Sequence, residues 1–283
     1  MRSDSLIEKC CLIANPAAGN PTQYLVEQAL DRNSIDWRFM TFEVEPDHLG
    51  DAMRGIRALG FRGVKIGEPF QTVVAEHVDE STESAQKSGS INCINSVGEK
   101  LVGDNTVVTA FAKLIRQQFD PVAKAATIIG SGRMAQSIAM ALAAVGSTPI
   151  TIASRNATIG PQLVEAIQQQ SSATASYVPL GTESKIVTSE TAVLVNATSL
   201  GSTKPEAKLP IDVNSLGPKL VVAEVAYNVG RTWLTAQAAQ KGCRIIDGLS
   251  LYVEQTALAL QAWTGVMPDT VAMREAAEEF LGI

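Results

Sequence analysis

The chain has 283 residues, long enough for two domains, and 46% of them are hydrophobic, which excludes the polar, highly charged composition of a disordered chain. Its formal net charge is -6, from 23 basic and 29 acidic residues with no basic block, so no nucleic-acid partner is expected. Cys10, Cys11, Cys93 and Cys243 form no CxxC pair and read as reduced thiols of a cytoplasmic protein; the opening MRSDSLIEKCCLIANP carries acids too early for a signal peptide, and no apolar run is long enough to span a membrane.

In chain order, Cys10–Ala14 is an apolar run that ends at Asn15-Pro16 and reads as a buried strand. The spacing of Leu25, Val26 and Ala29 predicts a helix over 21–31, and residues 37–42 a second strand. A helix over 47–59 ends at Gly60, and Phe61–Ile66 is a third strand. Gly67-Glu68-Pro69 then turns into a helix that ends near Val78. Ile91–Val97 and Lys100–Val102 flank Gly98-Glu99 as a hairpin, and Val107–Gln118 is a helix leaving this region, so a domain boundary is placed at residue 105.

A second run of alternating strands and helices begins at Ala125. It comprises strands at Thr127–Ile129, Pro149–Ala153, Ala192–Asn196, Leu220–Val225 and Cys243–Ile246, and helices at Met134–Val145, Ile159–Gln170 and Trp233–Gln240. Two helices, 250–263 and 269–281, close the chain. The expected fold class is α/β, with two α/β domains, the first over 1–105 and the second from 106 onward.

The sharpest local signal is Gly130-Ser131-Gly132-Arg133-Met134-Ala135, a G-x-G-x-x-A turn between an apolar strand and an alanine-rich helix. Gly130 permits the tight turn, Gly132 lets a pyrophosphate approach the backbone, and Ala135 lets the helix pack on the sheet, with free amides at the helix start facing the phosphates. After the next strand stands Ser154-Arg155-Asn156, where an NAD site usually places Asp or Glu. Ser154 and Arg155 suit a 2′-phosphate instead, so the expected cofactor is NADP(H). Arg133 is a second phosphate candidate, and the bland alternative for both arginines is a solvated surface charge. A tight glycine turn with no ligand is the bland alternative for the motif.

Further fragments fall in a specific order: Ala14-Asn15-Pro16, Gly89-Ser90-Ile91-Asn92, Gly103-Asp104-Asn105-Thr106, Asn196-Ala197-Thr198, Ala226-Tyr227-Asn228, Asp247-Gly248-Leu249, Gln255 and Trp263-Thr264-Gly265. With the glycine turn and Ser154-Arg155-Asn156, the sequence resembles the shikimate dehydrogenase family, including its quinate-active relatives, over nearly its full length. The resemblance implies an amino-terminal substrate-binding domain, a Rossmann NADP(H)-binding domain over 106–236, and a helical tail over 237–283 that returns to the first domain. It implies reversible reduction of 3-dehydroshikimate. It places Asn20, Thr22, Asn92, Asn105 and Gln255 on the substrate side, and Thr198 and Tyr227 beside the cofactor.

The departures fall on the chemistry. After the third strand the family carries an asparagine, a threonine and a catalytic lysine; here those positions are Lys65, Gly67 and Gln71. The family's catalytic aspartate follows an Asn-Thr pair, and here Val107 follows Asn105-Thr106. The two serines that meet the substrate carboxylate align with Asn20 and Thr22. Gln71 cannot usefully donate a proton at neutral pH and Val107 cannot ionise, so ordinary shikimate turnover is expected to be weak or absent. A relocated pair, Lys65 with Asp104 or Glu68, is the candidate for catalysis; an anchoring or surface charge is the alternative for Lys65. His48 and His77, the only histidines, lack a second ligand at metal spacing, so no metal is expected. The expected partner is a small hydroxy or oxo acid, bound by a monomer or homodimer that does not engage membranes. A non-catalytic NADP(H)-binding homologue acting as a sensor or interaction protein is the alternative function.

Overall fold

The computed structural model describes residues 7–181 and 185–283. Its described residues form two compact units, one of residues 7–106 with Val253–Gly282 and one centred on Val107–Tyr252.

The first unit begins with strand β1 (Lys9–Ala14), helix α1 (Thr22–Arg32), strand β2 (Arg38–Glu43), helix α2 (Leu49–Leu59) and strand β3 (Gly63–Ile66). Strand β4 (Glu80–Ser81), helix α3 (Glu83–Ser88) and the hairpin β5 (Cys93–Val97) and β6 (Lys100–Asp104) follow. The six strands form one mixed sheet in the order β2-β1-β3-β5-β6-β4. Alternation in β1 and β3 turns Cys11, Ile13, Val64 and Ile66 into a core with Met53 and Ile56 of α2.

On the opposite face the indole of Trp263 covers Gly63, with its Nε1–H donating to the Ile94 carbonyl at 3.1 Å and its ring stacked on Phe39. A Cβ at Gly63 would lie 2.0 Å from Trp263 Nε1. Gly63→Ala is therefore expected to displace the indole and cost about 1–3 kcal/mol, read as a lowered midpoint in urea unfolding. An unchanged midpoint would contradict this packing.

The second unit contains helix α4 (Thr106–Gln118), strand β7 (Ala125–Ile129), helix α5 (Arg133–Ala144), strand β8 (Ile150–Ser154), helix α6 (Ile159–Gln170), strand β9 (Ala175–Pro179), strand β10 (Thr191–Asn196), strand β11 (Val221–Glu224), helix α7 (Trp233–Gln240) and strand β12 (Arg244–Ile246). Helix α8 (Gly248–Thr264) begins here and continues into the first unit, where helix α9 (Thr270–Leu281) packs on α1. The sheet order is β12-β11-β10-β7-β8-β9, and every pair is parallel. This is a doubly wound Rossmann sheet whose strand order reverses at β7, the point where such sheets bind ligands.

Several local expectations need correction. The tail boundary at 237 is too early: β12 hydrogen-bonds to β11 and completes the second sheet, so that unit runs to Tyr252. The helix expected after Gly67 is a short 3-10 turn over Val73–His77, and α2 is preceded by another over Pro46–His48. β4, α3 and β9 were not foreseen; β9 is a half-buried edge strand without a clean period-2 pattern.

Candidate active site and nucleotide cradle

The carboxyl ends of β3 and β6 and the start of β5 gather the polar residues of the first unit. Cys93 of β5 lies directly opposite both Lys65 of β3 and Asp104 of β6, so these three side chains share one sheet face. Lys65 is only 5% exposed, and its Nζ has no hydrogen-bond partner among the described residues. Burial holds its ammonium down to about 8, and the Asp104 carboxylate opposes that fall. The same burial pushes the Cys93 thiol up to about 12, so Cys93 stays protonated and neutral beside Lys65.

Asp104 is not ion-paired with Lys65. Its Oδ1 accepts from Thr82 Oγ1 at 2.5 Å, Ser84 Oγ at 2.6 Å and the Asn105 N–H at 2.8 Å. Its influence on Lys65 is electrostatic, from two strands away. Glu68, the alternative partner, is exposed and makes no ion pair with Lys65.

Asn92 bridges α4 and α8. Its Oδ1 accepts from the Thr106 N–H at 2.8 Å and from Thr106 Oγ1 at 3.1 Å, while its Nδ2 donates to Gln255 Oε1 of α8 at 2.6 Å. That bond uses the Gln255 oxygen and leaves its amide protons for another acceptor. Asn105 sits inside the scaffold, 1% exposed, with Nδ2 donating to Ser88 Oγ at 2.8 Å and Ser90 Oγ at 2.9 Å. At the start of α1, Asn20 Oδ1 accepts from the Thr22 N–H at 3.0 Å and from Thr22 Oγ1 at 2.7 Å. Gln71 donates to the Ile66 carbonyl at 3.2 Å, and Val107 is buried.

In the second unit the glycine turn is open to a ligand. Gly132 is the N-cap of α5 with no side-chain cap, and a Cβ there would meet nothing within 4 Å. The first-turn amides of α5 therefore have no side chain from this position, and the space above Gly132 is clear for a pyrophosphate. Gly130 has φ +115°, and a Cβ on it would come within 3.0 Å of the Ala197 carbonyl, so the turn requires glycine there. Ala135 is fully buried against the sheet. Ser131 Oγ and Ser154 Oγ, 2.7 Å apart, tie the turn to the end of β8. Arg133 and Arg155 are exposed and Met134 half-buried. The residues fit a dinucleotide phosphate cradle.

Two loops beside this turn share a hub that the sequence reading did not find. Glu224, 2% exposed at the end of β11, accepts from Asn196 Nδ2 at 3.0 Å, from the backbone N–H groups of Val225 and Ala226, and from Thr232 Oγ1 at 3.1 Å. Burial raises its pKa, and these donors oppose the rise. Asn196 in turn accepts from Thr198 Oγ1 at 2.7 Å, which places Thr198 against Gly130. Tyr227, three residues beyond Glu224, stacks on Tyr252 with ring centroids 4.1 Å apart, and burial raises its phenol pKa.

Residues 12–94 match the family of shikimate dehydrogenase substrate binding domains, and residues 113–205 the shikimate/quinate 5-dehydrogenase family. The NADP(+) shikimate dehydrogenase of Archaeoglobus fulgidus is 33% identical over 266 residues, covering 94% of this chain and 96% of its own. The chain belongs to the shikimate dehydrogenase family. A second NADP(+) shikimate dehydrogenase, from Bacillus subtilis, is 30% identical and covers 93% of this chain and 94% of its own. Among solved structures, a 5-ketofructose reductase of a Gluconobacter species superposes with a TM-score of 0.94 at 30% identity, covering 97% of this chain and 99% of its own. A shikimate 5-dehydrogenase of Listeria monocytogenes, in complex with shikimate and NAD, superposes with a TM-score of 0.90 at 26% identity, covering 97% of this chain and 98% of its own.

Unit 2 is thus the NADP(H)-binding domain of a shikimate dehydrogenase-like protein, and the helices α8 and α9 contribute to its substrate-binding unit. Among the described residues no three His, Cys, Asp or Glu side chains come together as a metal site, and no helix is long and apolar enough to cross a membrane.

Proposed function

We propose that this protein is an NADP(H)-dependent oxidoreductase of small cyclic hydroxy or oxo compounds in which Lys65, rather than the residue at position 71, handles the proton. The observation that carries this reading is the buried Lys65 ammonium at the carboxyl edge of the sheet, with no hydrogen-bonding partner among the described residues. Such a charge is costly unless something oxygen-bearing meets it. A substrate carbonyl at that edge supplies the oxygen.

The bound nicotinamide supplies or accepts the hydride. Gly130 and Gly132 admit its pyrophosphate, and Ser154 and Arg155 favour a 2′-phosphate. As a carbonyl is reduced, negative charge grows on its oxygen; the Lys65 ammonium stabilises that charge and then releases its proton to the oxygen. Asp104, fixed by Thr82 and Ser84, favours the charged form of Lys65 without capturing its proton. Gln255 offers its free amide protons to a substrate hydroxyl, with Asn92 holding it in place. Gln71 donates to a backbone carbonyl and Val107 is apolar, so neither serves acid–base chemistry.

The substrate's carboxylate meets an altered loop here. Thr22 directs its hydroxyl to Asn20 Oδ1, so the two hydroxyls of the family pattern are not both presented to a carboxylate. A neutral keto sugar is therefore the second reading, and the likeness to a 5-ketofructose reductase favours it. Turnover of 3-dehydroshikimate is expected to be weak.

The test is NADPH oxidation against 3-dehydroshikimate, other cyclic oxo acids and 5-ketofructose. Turnover of at least one, with NADPH preferred over NADH, supports the reading. NADPH binding without turnover of any of them favours a sensor. With Lys65 held at about 8, carbonyl reduction is expected to fall as pH rises through that value and the reverse oxidation to rise. A flat profile between pH 6.5 and 9.5 would contradict the role given to Lys65.

A further inference from the structure

The second unit has a cleft of about 1230 Å³ above the carboxyl ends of its strands. Its charge is at odds with the rest of the chain: the protein carries a net charge of -6, yet among the described residues Arg155, Lys185, Lys204 and Lys208 line this cleft with Asp212 as the one carboxylate. Asp212 Oδ1 already accepts from the Asn214 N–H at 2.9 Å. None of the four cations makes an ion pair or side-chain hydrogen bond among the described residues. Like charges facing one cavity repel, and the arrangement is relieved by an anion bound among them.

The topology says which anion. Arg155 follows β8, and Lys204 and Lys208 follow β10; these strands flank β7 on its two sides. The lysine-bearing segment is anchored: the Lys204 carbonyl accepts from the Ala207 N–H at 2.9 Å, the Pro205 carbonyl from the Trp233 N–H at 2.6 Å, and Leu209 is buried in the core beneath. Both lysines therefore extend from a fixed backbone.

We propose that Lys204 and Lys208 bind the 2′-phosphate of the dinucleotide from the β10 side while Arg155 binds it from the β8 side, and that they set the preference for NADPH over NADH. The proposal rests on the NADP(H) reading and adds two residues to it. The guanidinium offers a fork of hydrogen bonds and the lysines point charges, a combination suited to a dianionic phosphate monoester. The neutral ribose hydroxyl of NADH gives the lysines nothing to neutralise.

The experiment is fluorescence titration of the full-length protein with NADPH, NADH and inorganic phosphate, for the wild type, the double variant Lys204→Met/Lys208→Met, and Arg155→Met. The double variant is expected to weaken NADPH binding by about 10- to 100-fold and to leave NADH binding within about twofold. Raised salt should narrow the wild-type preference. Equal weakening of both cofactors, or no change in either, overturns the proposal. So does inorganic phosphate that binds the NADPH-loaded wild type through these lysines, since the cleft would then be a separate phosphate site. A wild type that binds neither cofactor brings down the NADP(H) reading itself; a wild type that prefers NADPH alongside unaffected variants brings down only this proposal.

Discussion

Lys65→Met is expected to reduce turnover by roughly 10²–10⁴-fold while leaving NADPH affinity unchanged. Methionine keeps much of the side-chain length and removes the charge and the proton. The cofactor cradle belongs to the other unit, so its affinity reports that the second domain is intact. The same variant carries a stability signature with an unusual sign. The folded-state pKa of Lys65 lies below its unfolded value, so the folded protein binds this proton more weakly than the unfolded chain. The penalty is fully present below about pH 8 and is relieved as pH rises from there toward the unfolded value. Lys65→Met should therefore be more stable than the wild type at neutral pH, by about 3 kcal/mol, and lose that advantage near pH 10.5. A variant that is inactive yet better folded separates chemistry from structure. Undiminished turnover with the preferred substrate would remove Lys65 from the mechanism.

Gly132→Asp should abolish NADPH binding, a loss of at least about 100-fold, without harming the fold. The backbone at Gly132 has φ -80° and ψ -175°, which any residue adopts, and a Cβ there meets nothing within 4 Å. An aspartate at this N-cap can accept from the uncapped amides of α5, so the midpoint of thermal unfolding is expected to hold or rise slightly. It also places a carboxylate where the pyrophosphate must lie. Gly130→Ala is the opposite case: positive φ and the nearby Ala197 carbonyl make it destabilising before any cofactor is added. Measuring unfolding and NADPH titration for both variants separates a residue that shapes the turn from one that leaves room for the ligand. NADPH binding by Gly132→Asp at wild-type affinity would mean that phosphates are not held there.

The cradle was legible because its parts are local. Gly130, Gly132 and Ala135 have fixed spacing between a short apolar run and an alanine-rich helix, and each residue type has a steric reason to be there. The two sheets were legible for a similar reason: short apolar runs such as those of β7 and β10 alternate with helical periods. What failed was weakly amphipathic or very short. β4 has two residues, α3 six, and β9 is an edge strand with only partial burial.

The polar site was legible only by residue type. Lys65, Cys93 and Asp104 face one another because β3 and β6 both pair with β5, a register fixed by contacts distant in sequence. The expected Lys65–Asp104 pair does not form because hydroxyls of α3 and its cap take the carboxylate, and α3 itself was not foreseen. Glu224 gave no signal at all. A single glutamate ending a Val-Val-Ala strand reads as the first solvated residue, and only the arrival of Asn196 and Thr232 from elsewhere in the unit makes it a buried acceptor. Asn105 shows the reverse: family resemblance placed it toward substrate, whereas Ser88 and Ser90 take its amide protons inside the scaffold.

The most direct measurement is an NMR pH titration of the lysine side-chain resonances in the full-length protein, with the Lys65 signal assigned by its absence from Lys65→Met. A lysine that titrates near pH 8 and shifts on adding a turned-over substrate is the expected result. A Lys65 resonance titrating at an ordinary lysine value, about 10.4, and indifferent to substrate would contradict it.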